Sequence, residues 1–286
     1  MATRRIRIGR ICVALTMLFL FVQPGFTADV TIHRDIAYKS GENLDAYERE
    51  RCALDLYLPA DASGFPLMVW FHGGALRGGD KAAAMQAEIA SSLAARGIGV
   101  ASVNYRLSPR VNSPAYVEDA AASVAWVLEH IGDYQGDVDN VFVSGHSAGG
   151  YLAAMVGANG EFLAAHGYEL ADLAGMIPVS GQMITHSTIR EEHGLSGERP
   201  IIDAAAPLFH VSPDVPPWLA IAGSEDEPAR AEENDYFIAA LKAVGHRDAT
   251  YLEFDGRTHG TIVSRIPRPH DPVADAIVNF IAKHSR

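Results

Sequence analysis

The stretch VFVSGHSAGG, residues 141–150, sets one serine between glycines directly after a run of β-branched and aromatic residues. The residues leading into it, NVFVSG, read as a strand, and AGGYLAAMVGA after it reads as a helix. A serine at a strand-to-helix reversal occupies a strained turn. Gly145 and Gly149 flank it because side chains there would collide with neighbouring backbone. The strain lifts Oγ out of the sheet, while the N-terminus of the following helix presents free N–H groups to a developing negative charge. In that context Gly145-x-Ser147-x-Gly149 marks a nucleophile rather than a plain turn.

Working outward, two alternating segments, DVTIHRDIAY and CALDLYL, read as antiparallel strands near the start of the chain. Strand LMVWF, a helix over residues 80–95, strand GVASVNY and a helix from Ala115 behind Pro114 follow. That last helix carries Val117, Ala121, Val124, Ala125 and Leu128 at helical spacing. Beyond the serine come strand GMIPVSG, strand WLAIAG, helix ARAEENDYFIAALKAVG, strand TYLEF and a final helix DPVADAIVNFIAKH. Alternating strands and helices predict an α/β fold: a mostly parallel sheet covered on both faces, with the two leading strands as an antiparallel N-terminal edge. Residues 182–215, rich in His, Pro, Gly and Ser, form an insertion between two core strands, where a lid or pocket wall is expected.

A serine hydroxyl needs a base within hydrogen-bond reach and a carboxylate to fix the base's tautomer. In a sheet of this order the acid follows a late strand and the histidine follows the last one. Asp226, in WLAIAGSEDEPAR, and His259, in TYLEFDGRTHG, meet those positions. Glu225, Glu227 and Asp255 are rival acids that read as solvated loop charge, while His246 lies before the last strand and His270 too far beyond it. An oxyanion hole is also required, made of preset backbone N–H donors. The turn His72-Gly73-Gly74-Ala75 after LMVWF supplies Gly73, Gly74 and Ala75, and Ala148 supplies a donor from the serine's own turn. His72 reads as a structural hydrogen-bonding residue.

The chain has 286 residues, 48% of them hydrophobic, enough for a full core and incompatible with disorder. A formal net charge of −12, with no Lys/Arg cluster beyond the first ten residues, excludes a nucleic-acid surface. Those first residues are basic, residues 11–22 are apolar, and QPGFTA follows, the order of a secretory signal peptide shorter than the roughly 20 residues of a membrane span. Cleavage is expected near Ala28, giving an exported chain, periplasmic or extracellular, with no stable membrane insertion; an uncleaved N-terminal anchor is the alternative. Of two cysteines, Cys12 lies in this leader, so the mature chain holds Cys52 alone and forms no internal disulfide. Cys52 reads as a buried small hydrophobe. No HExxH pair, Cys/His cluster or early GxGxxG is present, so neither a metal nor an organic cofactor is expected.

The stretches HGGAL, VNYRLSP, SPAYVEDAAASVAWV, GHSAGG, GSEDEP and GRTHG together resemble the α/β-hydrolases, specifically the esterases with an HGGG-type loop. Within these, the hormone-sensitive-lipase-like group and the bacterial carboxylesterase and feruloyl-esterase-like branch are the nearest in pattern. The resemblance covers nearly all of residues 29–286, taken as one catalytic domain, and implies a carboxylic ester hydrolase with Ser147 as nucleophile, Asp226 as acid and His259 as base, acting on a small-molecule ester. It departs at Ala75, where a third glycine is usual, and at Leu76, where an aromatic residue is frequent and the acyl side of the pocket is expected to change shape. Arg106 and Asp119 are expected to brace loops. Phe209 and Trp218 are expected to shape the pocket, and the absence of a long apolar lid helix favours short acyl or small aromatic esters. An amide hydrolase of the arylformamidase type would use the same triad, and a non-catalytic binding protein on the same fold would be expected to have lost one of its members.

Overall fold

The computed structural model describes residues 29–286; the leader and Cys12 lie outside them. Eight strands form one sheet: β1 (Val30–Ala37), β2 (Ala53–Pro59), β3 (Phe65–Phe71), β4 (Gly99–Val103), β5 (Gly136–His146), β6 (Gly175–Val179), β7 (Trp218–Glu225) and β8 (Ala249–Thr258). Their order across the sheet is β1-β2-β4-β3-β5-β6-β7-β8. β2 runs antiparallel to both β1 and β4, and every pair from β4 to β8 is parallel. The expected mostly parallel sheet with an antiparallel N-terminal edge is therefore present.

Nine α-helical segments accompany the strands among the described residues: α1 (Ala46–Arg51), α2 (Ala84–Ala94), α3 (Ala115–His130), α4 (Ala148–Ala158), α5 (Glu161–Ala164), α6 (Ser187–Glu192), α7 (Arg230–Ala243), α8 (Thr261–Ser264) and α9 (Pro272–His284). Alternation along the strands divides the core in two. Leu67, Val69 and Phe71 of β3, with Val141 and Val143 of β5, pack on one face against α3, α4 and α7. Met68, Trp70 and Phe142 pack on the other against α2, α8 and α9. Strands buried on both faces carry unbroken apolar runs, which is why LMVWF and WLAIAG stand out in the sequence. Each of these large side chains contributes roughly 1.5–3 kcal/mol by leaving water.

Helix α2 starts at Ala84 rather than Asp80. Asp80 instead closes a turn: Oδ1 accepts the Ala82 N–H, and Oδ2 accepts from Asn104 and Arg51. The four short helices α1, α5, α6 and α8 are absent from the sequence reading because each is too short to record a 3.6-residue period. Residues 182–215 connect β6 to β7 and contain α6 and a 3₁₀ turn at Pro207–His210. Trp218 corrects an expectation. It opens β7 at the strand's N-terminal end, fully buried against Phe237 with ring centroids 4.9 Å apart, on the order of 20 Å along the strand from Asp226. Leu76 is likewise fully buried in the core on the α3 and α4 side.

Candidate active site

All parallel strands end on the same edge of the sheet, and residues just beyond β3, β5, β7 and β8 converge there. Ser147, between β5 and α4, has φ 56° and ψ −119°, a conformation a non-glycine residue keeps only when its surroundings enforce it. Glycine is the neighbour that permits this packing: a Cβ on Gly149 would lie 2.0 Å from the Phe71 carbonyl oxygen, and one on Gly145 would lie 2.5 Å from that of Gly149. The Ser147 N–H donates to the Val179 carbonyl at 2.9 Å, which ties the turn to β6.

The structure brings the three predicted residues together. His259 Nε2 lies 2.8 Å from Ser147 Oγ, and Nδ1 lies 2.6 Å from Asp226 Oδ1. Asp226 occupies the loop after β7, where Oδ2 accepts from Ser180 Oγ at 2.5 Å and Oδ1 from the Glu227 N–H at 2.7 Å. Burial works to raise its pKa, but the hydrogen bonds from His259, Ser180 and Glu227 outweigh it and hold the carboxyl at about 2. Asp226 is thus an anion at neutral pH, and an anion there fixes the Nδ1–H tautomer that leaves Nε2 free to accept a proton from Ser147.

The turn after β3 lies against the serine. A Cβ on Gly73 would come within 3.2 Å of the Ser147 Cβ, so this backbone borders the hydroxyl directly. Ala75 and Leu76 both adopt left-handed angles, φ 54° and 59°, so Ala75 accepts the backbone that a third glycine would take more freely. The Ala75 carbonyl accepts from Thr188 Oγ1 at 2.6 Å and that of Leu76 from the Ser108 N–H at 2.8 Å, which fixes both residues from outside. The N–H groups of Gly73, Gly74, Ala75 and Ala148 find no acceptor among the described residues. His72 holds the turn's base: Nδ1 donates to the Gly73 carbonyl at 2.8 Å, Nε2 accepts from Arg51, and the ring stacks on Tyr105. Burial lowers its pKa to about 4, so it is neutral and structural.

Two neighbours escaped the sequence reading, and a third was named there only as loop charge. Ser180 lies at the end of β6, and only the pairing of β6 with β7 sets its hydroxyl on Asp226. His146, inside the serine motif, donates from Nε2 to the His259 carbonyl at 2.8 Å and is kept neutral chiefly by burial, at a pKa of about 3. Glu227, read as solvated charge, sets Oε1 3.8 Å from His259 Nε2. His246 bonds the Pro213 and Asp248 carbonyls at the opposite end of β8, and Phe209 is 60% exposed.

Arg106 and Asp119 lie away from the triad and form a brace. Asp119 is fully buried, accepts from Arg106 Nε and Nη2 at 2.8 and 2.7 Å, and also binds Lys39. Among the described residues one group of possible metal ligands converges, Glu48, Cys52 and Asp119. Its carboxylates are already engaged by Lys39 and Arg106, and burial pushes the Cys52 thiol up to about 12, so these residues fit an ion-pair brace rather than a cation site. No helix among the described residues is long and apolar enough to cross a membrane.

A family model described as BD-FAE matches residues 54–172, which include the turn after β3 and the serine motif. Esterase LipQ of Mycobacterium tuberculosis is 30% identical over 196 residues, covering 63% of this chain and 46% of the relative. A probable isoprenylcysteine alpha-carbonyl methylesterase of Arabidopsis thaliana is 27% identical, covering 93% of this chain and 58% of its own. The chain thus spans about half the length of the curated relatives it matches. Among solved structures, a truncated carbohydrate esterase from gut microbiota superposes with a TM-score of 0.75 at 18% identity, covering 92% of this chain and 98% of that one. An esterase of Pyrobaculum calidifontis superposes with a TM-score of 0.64 at 25% identity, covering 82% of this chain and 81% of that one. The chain has the α/β-hydrolase fold and is similar in sequence to esterases.

Proposed function

We propose that the protein is a serine carboxylic ester hydrolase working through an acyl-enzyme intermediate. The observation that carries this reading is the continuous hydrogen-bonded chain Ser147 Oγ, His259, Asp226, with links of 2.8 and 2.6 Å, at the C-terminal edge of the sheet. Ser147 Oγ attacks the ester carbonyl as His259 Nε2 takes its proton, and the carbonyl oxygen gathers negative charge against N–H groups of Gly73, Gly74, Ala75 and Ala148. His259 returns the proton to the leaving alkoxide; the alcohol departs and the acyl group stays on Ser147. Water, deprotonated by the same nitrogen, then attacks the acyl carbon and releases the acid. Asp226 stays ionised throughout and stabilises the imidazolium.

Residues 182–215 form one wall of the pocket in this reading, with α6 held against the oxyanion turn through Thr188. Short acyl or small aromatic esters are the proposed substrates, and the leader-like residues 1–28 would deliver the enzyme out of the cytoplasm. Hydrolysis of p-nitrophenyl esters of increasing acyl length, with Ser147→Ala as control, tests the proposal. The variant should lose about a thousandfold or more in kcat with an unchanged circular-dichroism spectrum, and a covalent serine probe should label Ser147. Labelling at another residue, or retained turnover in Ser147→Ala, would overturn it. Matched formamide substrates, turned over faster than the esters, would reassign the same triad to amides.

A further inference from the structure

His259 follows β8, the outermost strand, yet its ring meets Ser147 at the end of β5, with β6 and β7 between the two in the sheet. The loop after β8 must therefore fold back across the sheet's edge and be held there. Its local bonds do not reach that far. Thr258 pairs with Glu225 of β7, and Thr258 and Thr261 bond one another, which closes the turn on itself. The side chain that reaches the loop from the centre of the sheet is His146, the last residue of β5, whose Nε2–H donates to the His259 carbonyl at 2.8 Å.

The surroundings of His146 suit it to this task. β5 is paired on both sides, with β3 and with β6, so the backbone that carries the ring is fixed. The side chain is buried, and its Nδ1 edge packs on the turn after β3: a Cβ on Gly73 would lie 3.3 Å from Nδ1 and 3.2 Å from Ser147 Cβ. The ring also lies beside that of His259, with centroids 4.6 Å apart. A carbonyl only accepts, so Nε2 must carry the proton, and burial keeps the ring neutral with that single N–H. One rigid ring thus spans the distance from the turn after β3 to the loop of the base.

We infer that His146 is a positioning residue for the base: it spaces His259 from the turn after β3 and so sets the reach from Nε2 to Ser147 Oγ. The inference rests on the hydrolase reading above and deepens it. His146 acts through the His259 backbone and takes no part in the proton's path. Because its bond ends on the carbonyl, both ring nitrogens of His259 stay with their own partners, Nε2 with Ser147 and Nδ1 with Asp226. Proton transfer is sensitive to distance and angle, so a shift of the loop by about an ångström would slow turnover far more than it would weaken binding.

Three variants of the full chain separate the donor from the bulk. His146→Leu fills the space without an N–H, His146→Asn has an amide too short to reach, and His146→Gln carries an amide N–H about as far out as Nε2. On p-nitrophenyl acetate, the Leu and Asn variants should each lose about tenfold or more in kcat with KM within about twofold, and Gln should recover most of the loss. Proton NMR gives a second readout, because the short Nδ1–H bond from His259 to the ionised Asp226 resonates far downfield. That signal should broaden or vanish in His146→Leu and return in His146→Gln, whereas a side chain that only fills space would leave it in place. A kcat in His146→Leu within about twofold of the natural protein, a Gln variant as slow as Leu, or an unaltered downfield signal in Leu would each overturn the inference. Should His146→Leu not fold, the contrast of Asn with Gln makes the same decision. Ser147→Ala, run beside them, reports separately on the hydrolase reading: residual turnover there sinks the mechanism, whereas full activity in His146→Leu with a dead Ser147→Ala sinks only the role of His146.

Discussion

Ser180 and Asp226 share a hydrogen bond of 2.5 Å, and that bond orients the carboxylate that orients His259. Ser180→Ala removes a donor to an ionised group while leaving His259 and Glu227 on the other oxygen. A drop in kcat of about tenfold is expected, with the fold intact, as steady-state kinetics on purified protein would show. Nothing in the sequence singles out Ser180, because its meaning comes from the lateral pairing of β6 with β7. His146 was hidden for the same reason: it bonds the His259 carbonyl across a turn whose shape a linear reading does not supply. Ser147, Asp226 and His259 were legible because each follows a strand, and the chain order of strands in a parallel sheet constrains which loops can meet.

At the scale of elements, α6 and the turn after β3 form one unit. Thr188 Oγ1 on the Ala75 carbonyl, at 2.6 Å, joins the pocket wall to a backbone pair at φ 54° and 59°. Thr188→Val keeps the shape and loses the bond. Stability should fall by about 1 kcal/mol in urea titrations. KM should rise more than kcat falls, since the turn would be ordered only on binding. The main helices and strands were readable from apolar runs and helical spacing, whereas α6, six residues long, was not. Its buried Thr188, Ile189 and Arg190 are determined by tertiary contacts that its own composition does not announce. The late start of α2 has a similar origin, because Asp80 serves Asn104 and Arg51 instead of opening the helix.

Three buried histidines give the whole molecule a pH dependence. Burial holds His72 at about 4, His146 at about 3 and His186 at about 3, whereas an unfolded chain takes up these protons near pH 6.5. Between those limits the unfolded state binds more protons, so stability falls as pH falls, by about 1.4 kcal/mol per pH unit for each histidine. Asp226, held at about 2, adds a loss of the same sign in a lower window, from about pH 4 downward. Urea midpoints should therefore drop steeply between pH 6.5 and 5. His186→Gln, which retains an acceptor for the Thr188 N–H, should remove about one third of that slope.

The sheet's outermost strand on one side is β8, and the proposed base stands directly after it. Among the described residues β8 has β7 as its one hydrogen-bonded neighbour in the sheet, and the Arg257 guanidinium on Asp271 clasps its end to the start of α9. An edge strand opens at lower free energy than the centre of a sheet, in motions that leave the rest of the molecule folded. Each such fraying event would carry His259 away from Ser147. Heat would then extinguish turnover reversibly some degrees below the temperature at which the core melts, and the Arg257–Asp271 clasp would set how wide that interval is.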